Sequence, residues 1–216
     1  MAQPRAVRPI RKPPSRYHHG DLRRALILEA VRTITRAGVE GLTLREVGAR
    51  LGVSRTALYR HFVDKSSLLA AVARDGFQRF TADLRAAWDA QPGSGQGFER
   101  MGVAYVHFAV ANPSHYRVMF GDYRHLCSKD PELQADAAAA FQVLLDAIVT
   151  LQAAGALRDD APQAMAQFIW AIVHGVAMLA INGQLGGSED DVAQVVQYAL
   201  RRLRTGIDGP HPAGDR

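Results

Sequence analysis

The chain has 216 residues, 48% of them apolar and 22% charged, enough for one large domain or two smaller ones around a real hydrophobic core. That apolar fraction excludes wholesale disorder, and the single cysteine, Cys127, excludes any intrachain disulfide. The basic, proline-bearing start Met1-Ala2-Gln3-Pro4-Arg5 lacks the apolar run of a secretory signal, so a cytoplasmic location is expected. Residues 161–188 hold no formal charge, but Gln163, Gln167, His174, Asn182 and Gln184 interrupt them, and the dense apolar part is only 168–181. A stretch of that length reads as a core helix, with no membrane partner.

Charge is unevenly placed. Residues 1–65 carry 14 Lys/Arg against 5 Asp/Glu, a net of +9, while residues 66–216 carry 12 against 16. A basic first third joined to a mildly acidic remainder suggests one part for a polyanion and another for something else.

Residues 1–16, with five Lys/Arg and four prolines and no hydrophobic period, read as a disordered basic arm or a solubilising tail. Helical periods dominate from there on, so the fold is predicted to be all-α. Leu22, Leu26, Ile27, Ala30, Val31 and Ile34 mark a helix over 21–37, with Gly38 at its left-handed cap. Thr43-Leu44-Arg45-Glu46 reads as a reciprocal capping box opening a short helix that stops at Gly52. Ser54 caps a third helix over 55–62, and Asp64 a fourth that continues past Trp88. Gln91-Pro92-Gly93-Ser94-Gly95-Gln96-Gly97 reads as a linker. Further helical segments are predicted near 98–111, 113–127, 131–154, 161–184 and 188–205, with Pro113, Pro131 and Pro162 near helix starts. The domain division expected is an arm (1–16), a helix-turn-helix unit (17–65, motif 43–62), a larger helical domain (66–206) and a flexible tail (207–216).

The turn Leu51-Gly52-Val53-Ser54 between the second and third helices makes a helix-turn-helix. Leu44, Val47, Leu51, Val53, Leu58 and Phe62 have the spacing to pack inward. That leaves Arg55, Thr56, Tyr59 and Arg60 outward, where they could enter a major groove. Arg55 and Arg60 suit guanine edges, and Thr56 or Ala57 a thymine methyl. Thr43, Ser54, Tyr59, His61 and Lys65 are candidates for phosphate contact.

Thr43-Leu44-Arg45-Glu46-Val47, Leu51 to Phe62 and Asp64-Lys65-Ser66-Ser67-Leu68-Leu69 resemble the TetR family of bacterial transcriptional regulators, and Tyr17-His18-His19-Gly20-Asp21-Leu22-Arg23 is similar to a leader in one branch of it. Trp170, His174 and Gly175 resemble the Trp-His-Gly signature of a TetR effector domain. The resemblance implies a homodimer whose paired third helices read a palindromic operator in double-stranded DNA, through Thr43, Ser54, Arg55, Thr56, Ala57, Tyr59, Arg60, His61 and Lys65. It also implies a small-molecule effector that releases the DNA, making the protein a repressor. Two positions depart from the family: Gly48 stands where alanine is usual, and Thr35 where a large apolar residue is usual, which suggests looser packing of the first helix on the third.

Aromatic residues and methionines recur at helical spacing in the second part. Tyr105, Phe108, Tyr116, Met119, Phe120, Phe141, Trp170 and Met178 are ordinary core taken singly, but together they could line an apolar cavity between helices. His174, one turn after Trp170, is either a polar handle in that cavity or a histidine bonded to a nearby carbonyl. The last two helical segments could form a dimer interface or be buried within one subunit. A metalloenzyme is the leading enzyme alternative, but no Glu-x-x-His or His-Glu-x-x-His occurs and Asp122-x-x-His125 is isolated. No catalytic residue, metal or cofactor is expected. A constitutive DNA-binding protein without effector response is the other alternative.

Overall fold

The computed structural model describes residues 19–121, 123, 125, 129–186 and 188–207. The basic arm, the region around Cys127 and residues 208–216 lie outside them. Among the described residues the regular structure is nine α-helices: α1 (His19–Ala37), α2 (Leu44–Arg50), α3 (Arg55–His61), α4 (Lys65–Asp89), α5 (Gly95–Ala111), α6 (Pro113–Phe120), α7 (Pro131–Ala153), α8 (Pro162–Ile181) and α9 (Glu189–Ile207). The fold is all-α.

Local chemistry explains most boundaries. α1 ends where Gly38, at φ 71°, takes the left-handed conformation and donates to the Ile34 carbonyl at 2.9 Å. Pro113, Pro131 and Pro162 open α6, α7 and α8, where the missing N–H costs nothing. At α2 the expected reciprocal box is only half formed. Thr43 Oγ1 accepts from the Glu46 amide at 3.1 Å, but the Glu46 carboxylate turns instead to Arg36 at 3.1 Å and Arg50 at 3.0 Å. Two guanidinium partners outbid one backbone amide. The complete box lies at α4, where Asp64 accepts from the Ser67 amide at 2.7 Å and Ser67 Oγ accepts from the Asp64 amide at 3.2 Å.

Thr35 does not face α3. It is exposed on α1, with Oγ1 2.8 Å from Ser114 Oγ on α6, so its polarity serves a contact with the second domain. The stretch read as a linker is a tight turn: α5 already begins at Gly95, and Ser94 Oγ accepts from the Gly97 amide at 3.0 Å while donating to the Gln91 carbonyl at 2.7 Å. Ile207, assigned to the tail, belongs to α9; it is buried, and its carbonyl accepts from the Arg158 amide at 2.9 Å.

α4, 25 residues and about 37 Å long, is the axis of the molecule. Its first turns bury Leu68, Leu69 and Val72 in a core shared with Leu26, Ala30 and Ile34 of α1, so a boundary at residue 65 cuts through packed side chains. Farther along it packs on α5, α6 and α7. Arg74 pairs with Asp136 at 3.0 Å and with Glu132, fastening α4 to α7. α7 and α8 are long and apolar enough to cross a membrane by length and composition. Here α7 lies on α4 and α8, and α8 also lies on α5 and α9.

Candidate nucleic-acid interface and internal cavity

α3 is held to α2 by Leu58 and Phe62, which are fully buried against Val47. Gly52, at φ 65°, makes the sharp turn between the helices that a side chain there would strain. Buried Leu58 leaves Arg55, Thr56, Tyr59 and Arg60 exposed on the opposite side of a seven-residue helix. The Arg55 guanidinium lies 5.8 Å from the Tyr59 ring centroid, which orients both. Ser54 Oγ accepts from the Ala57 amide at 3.2 Å. A cap uses only a lone pair, so the hydroxyl hydrogens of Thr43 and Ser54 can still be donated to a phosphate. Ala57 and His61 are half-buried. Lys65 Nζ donates to the Glu40 carbonyl at 3.4 Å, at the edge of the same surface. Arg23 of α1 adds a cation beside it, 5.2 Å from the Phe62 ring centroid.

The second feature is a cavity of about 440 Å³ lined by α4, α5, α7, α8 and α9, with Phe120 at the end of α6. Of the residues assigned to it from the sequence, Tyr105, Phe120, Phe141 and Trp170 line it; Phe108, Tyr116, Met119, His174 and Met178 do not. Phe108 and Met119 are sealed in the packing behind the wall, each 1% exposed. Tyr116 and His174 stand one layer back as hydrogen-bonding partners of the wall, and half-buried Met178 packs on the core away from it. The wall that sequence reasoning missed comes largely from α4, with Phe77, Phe80 and Leu84, and from Phe98 and Met101 of α5 and Leu200 and Leu203 of α9. The spacing 77, 80, 84 is a one-face helical signal that was available.

Behind the apolar wall lies a small polar network. Trp170 Nε1 donates to Tyr105 Oη at 3.0 Å, Tyr116 Oη donates to Tyr105 Oη at 2.9 Å, and Tyr116 Oη lies 2.7 Å from His174 Nδ1. His174 therefore meets tyrosine hydroxyls instead of a carbonyl. Burial raises the Tyr105 phenol to about 12 and pushes Tyr116 up further, while the same loss of water lowers His174. The network is uncharged at neutral pH.

A third cluster ties α6 to α4. Buried His115 on α6 meets Asp75 Oδ2 on α4 at 3.1 Å, and Arg79 pairs with the same oxygen at 2.9 Å. The hydrogen bond with His115 lowers the Asp75 pKa, burial opposes this, and Arg79 lowers it again. Among the described residues no three His, Cys, Asp or Glu side chains converge on a metal-sized site.

Two family models match the chain. Residues 26–72 match one described as bacterial regulatory proteins of the tetR family, and residues 98–203 one described as a tetracyclin repressor-like C-terminal domain. The chain is 47% identical over 51 residues to the class C tetracycline repressor protein of Escherichia coli, covering 24% of this chain and 23% of that protein. It is 32% identical over 110 residues to an uncharacterized HTH-type transcriptional regulator of Mycobacterium tuberculosis, covering 49% of this chain and 45% of the relative. The chain thus spans less than half the length of either curated relative. Its fold matches the solved structure of a protein with unknown function from Rhodococcus sp. RHA1 at TM-score 0.79 and 33% identity, over 89% of this chain and 98% of that one. A helix-turn-helix followed by a larger helical domain is the architecture of a bacterial regulatory protein. The chain belongs to the TetR family.

Proposed function

We propose that this protein is a sequence-specific DNA-binding transcriptional repressor, acting in the cytoplasm as a homodimer and released from a palindromic operator by a small, largely apolar ligand. The observation that carries this reading is the exposed face of α3: Arg55, Thr56, Tyr59 and Arg60 project from a helix anchored on its other side, within a region of net charge +9. Arg55 and Arg60 read base edges. Thr43, Ser54, Tyr59, His61 and Lys65 position the phosphates, and the methyl group of Ala57 meets a thymine where the groove closes on it.

The dimer surface is a stripe on α8. Ala164, Phe168, Ala171 and Leu179 are exposed at helical spacing, Phe168 by 50%, and a side chain placed at Gly175 of the same stripe would meet nothing within the subunit. Tyr198 on α9, the helix that packs beside α8, is also exposed. A stripe of small and apolar residues suits close approach by a second copy. Trp170, His174 and Gly175 make the C-terminal domain one of the Trp-His-Gly type, with the first two in the network behind the cavity wall and the third on the dimer stripe.

Release follows from α4 and α6. The helix that lines the cavity with Phe77 and Phe80 begins in the core of the reading unit, and α6 touches both α1 and α4. A ligand that refills the cavity shifts these helices and changes the separation of the two α3 helices, which a palindrome requires to be about 34–36 Å or a multiple of it. Full reversal of occupancy requires the ligand to prefer the released form by about 5.5 kcal/mol.

The test is a duplex from the DNA flanking the coding region that carries an inverted repeat, against its scrambled counterpart, titrated at several salt concentrations. Tighter binding of the repeat at every salt, with steep weakening as salt rises, is expected. Equal binding of both duplexes contradicts the reading.

A further inference from the structure

Resting on the cavity as a ligand site, we infer that it takes an uncharged, largely apolar molecule bearing one hydrogen-bond-accepting oxygen, such as a ketone carbonyl, set against Tyr105 Oη. Trp170 Nε1 donates to Tyr105 Oη at 3.0 Å, and Tyr116 Oη donates to it at 2.9 Å. A phenol has a single hydrogen, and that of Tyr116 is committed to Tyr105. The 2.7 Å approach of Tyr116 Oη to His174 Nδ1 is therefore a hydrogen bond only with the imidazole hydrogen on Nδ1. His174 Nδ1, also 3.3 Å from Tyr105 Oη, then carries a hydrogen and cannot accept one from Tyr105. Trp170 Nε1 and Tyr116 Oη thus present hydrogens to Tyr105 Oη, His174 Nδ1 spends its single hydrogen on Tyr116 Oη, and the hydrogen of Tyr105 finds no acceptor among the three. Tyr105 lines the cavity and its two partners Tyr116 and His174 do not, so the hydrogen left over belongs to the wall. A buried donor without a partner is costly, and a ligand oxygen removes that cost.

The absence of ligand charge follows from the rest of the wall. Its charged residues among those described are Glu99 and Arg204, 3.7 Å apart and opposite in sign. Gln134, Gln163 and Gln167 are exposed at the rim and carry no charge. Neither Tyr105 nor His174 is ionised at neutral pH, given the directions in which burial moves them. A charged ligand would lose its hydration with no counter-charge to replace it. The volume, about 440 Å³, falls within the range for small-molecule sites.

Three probes of closely related shape test this on the full chain, by titration calorimetry: benzophenone, its hydrocarbon counterpart diphenylmethane, and the anionic 4-benzoylbenzoate. Benzophenone is expected to bind about tenfold more tightly than diphenylmethane, with 4-benzoylbenzoate the weakest. Tyr105→Phe should erase the advantage of benzophenone while leaving diphenylmethane unchanged, and Ala137→Phe, which fills the cavity, should weaken both. Equal affinity for benzophenone and diphenylmethane, an advantage that survives Tyr105→Phe, or tightest binding of 4-benzoylbenzoate overturns the inference and leaves the cavity reading standing. Binding of none of the three, or binding indifferent to Ala137→Phe, overturns the cavity reading and this inference with it.

Discussion

Thr35 Oγ1 on α1 lies 2.8 Å from Ser114 Oγ on α6, joining the helix-turn-helix unit to the C-terminal domain. Thr35 spends its own hydrogen on the Val31 carbonyl at 3.0 Å, so the shared hydrogen comes from Ser114. The next residue, His115, meets Asp75 of α4. Consecutive side chains of α6 thus hold both helices that enter the reading unit. A double-mutant cycle of Thr35→Val and Ser114→Ala, followed by urea unfolding, should give a coupling of about 0.5–1.5 kcal/mol. Strict additivity would mean that the contact contributes nothing.

His174 gives the stability a pH dependence. Burial holds it below its ordinary 6.5, so on acidification the unfolded chain takes up a proton that the native chain refuses. The native state keeps its full advantage above that value and loses it as pH falls toward the depressed native pKa. The urea midpoint of the wild type should fall between pH 7.5 and pH 5.5, and His174→Gln should flatten that slope. Asp75, lowered from 3.8 by His115 and Arg79 against the effect of burial, adds a second loss at more acid pH, which Asp75→Asn removes.

Gly48 sits inside α2, where glycine is conformationally expensive. A β-carbon there would lie 3.6 Å from Leu58 Cδ1 and 3.7 Å from Val53 Cγ2, ordinary contact distances. Gly48→Ala should therefore stabilise the protein by about 0.5–1 kcal/mol, read as a higher melting temperature. A lower one would mean that the α2–α3 packing has no room for the methyl group.

The helix-turn-helix was legible because its signals are local. Thr43, Ser54 and Asp64 each cap the next helix through an amide three residues on, and nothing distant is needed to see it. Glu46 was misread although one of its partners, Arg50, lies a turn on in the same helix; the other, Arg36, lies on another helix and no spacing within α2 records it. The cavity was only half legible for the same reason. Phe80 and Phe108 have ring centroids 5.1 Å apart, yet the first lines the cavity and the second is sealed behind it. Which of the two faces the void depends on how α4 and α5 cross, and no spacing along either helix records that.

Phe168 on α8 is 50% exposed although it is large and apolar. If the α8 stripe is where two copies meet, Phe168→Glu should convert a sedimenting dimer into a monomer at micromolar concentration while the helical circular-dichroism signal is retained. An unchanged sedimentation coefficient would move the interface elsewhere.

The central claim, that two copies of α3 read symmetric sites in duplex DNA, is tested most directly by selecting binders from a random duplex pool with the wild-type protein and with Arg55→Ala. The account predicts that the wild type enriches an inverted repeat with half-site centres about 34–36 Å apart or a multiple of that, and that Arg55→Ala loses preference at one symmetric pair of positions. Enrichment of no symmetric sequence, or an identical sequence from both proteins, would contradict it.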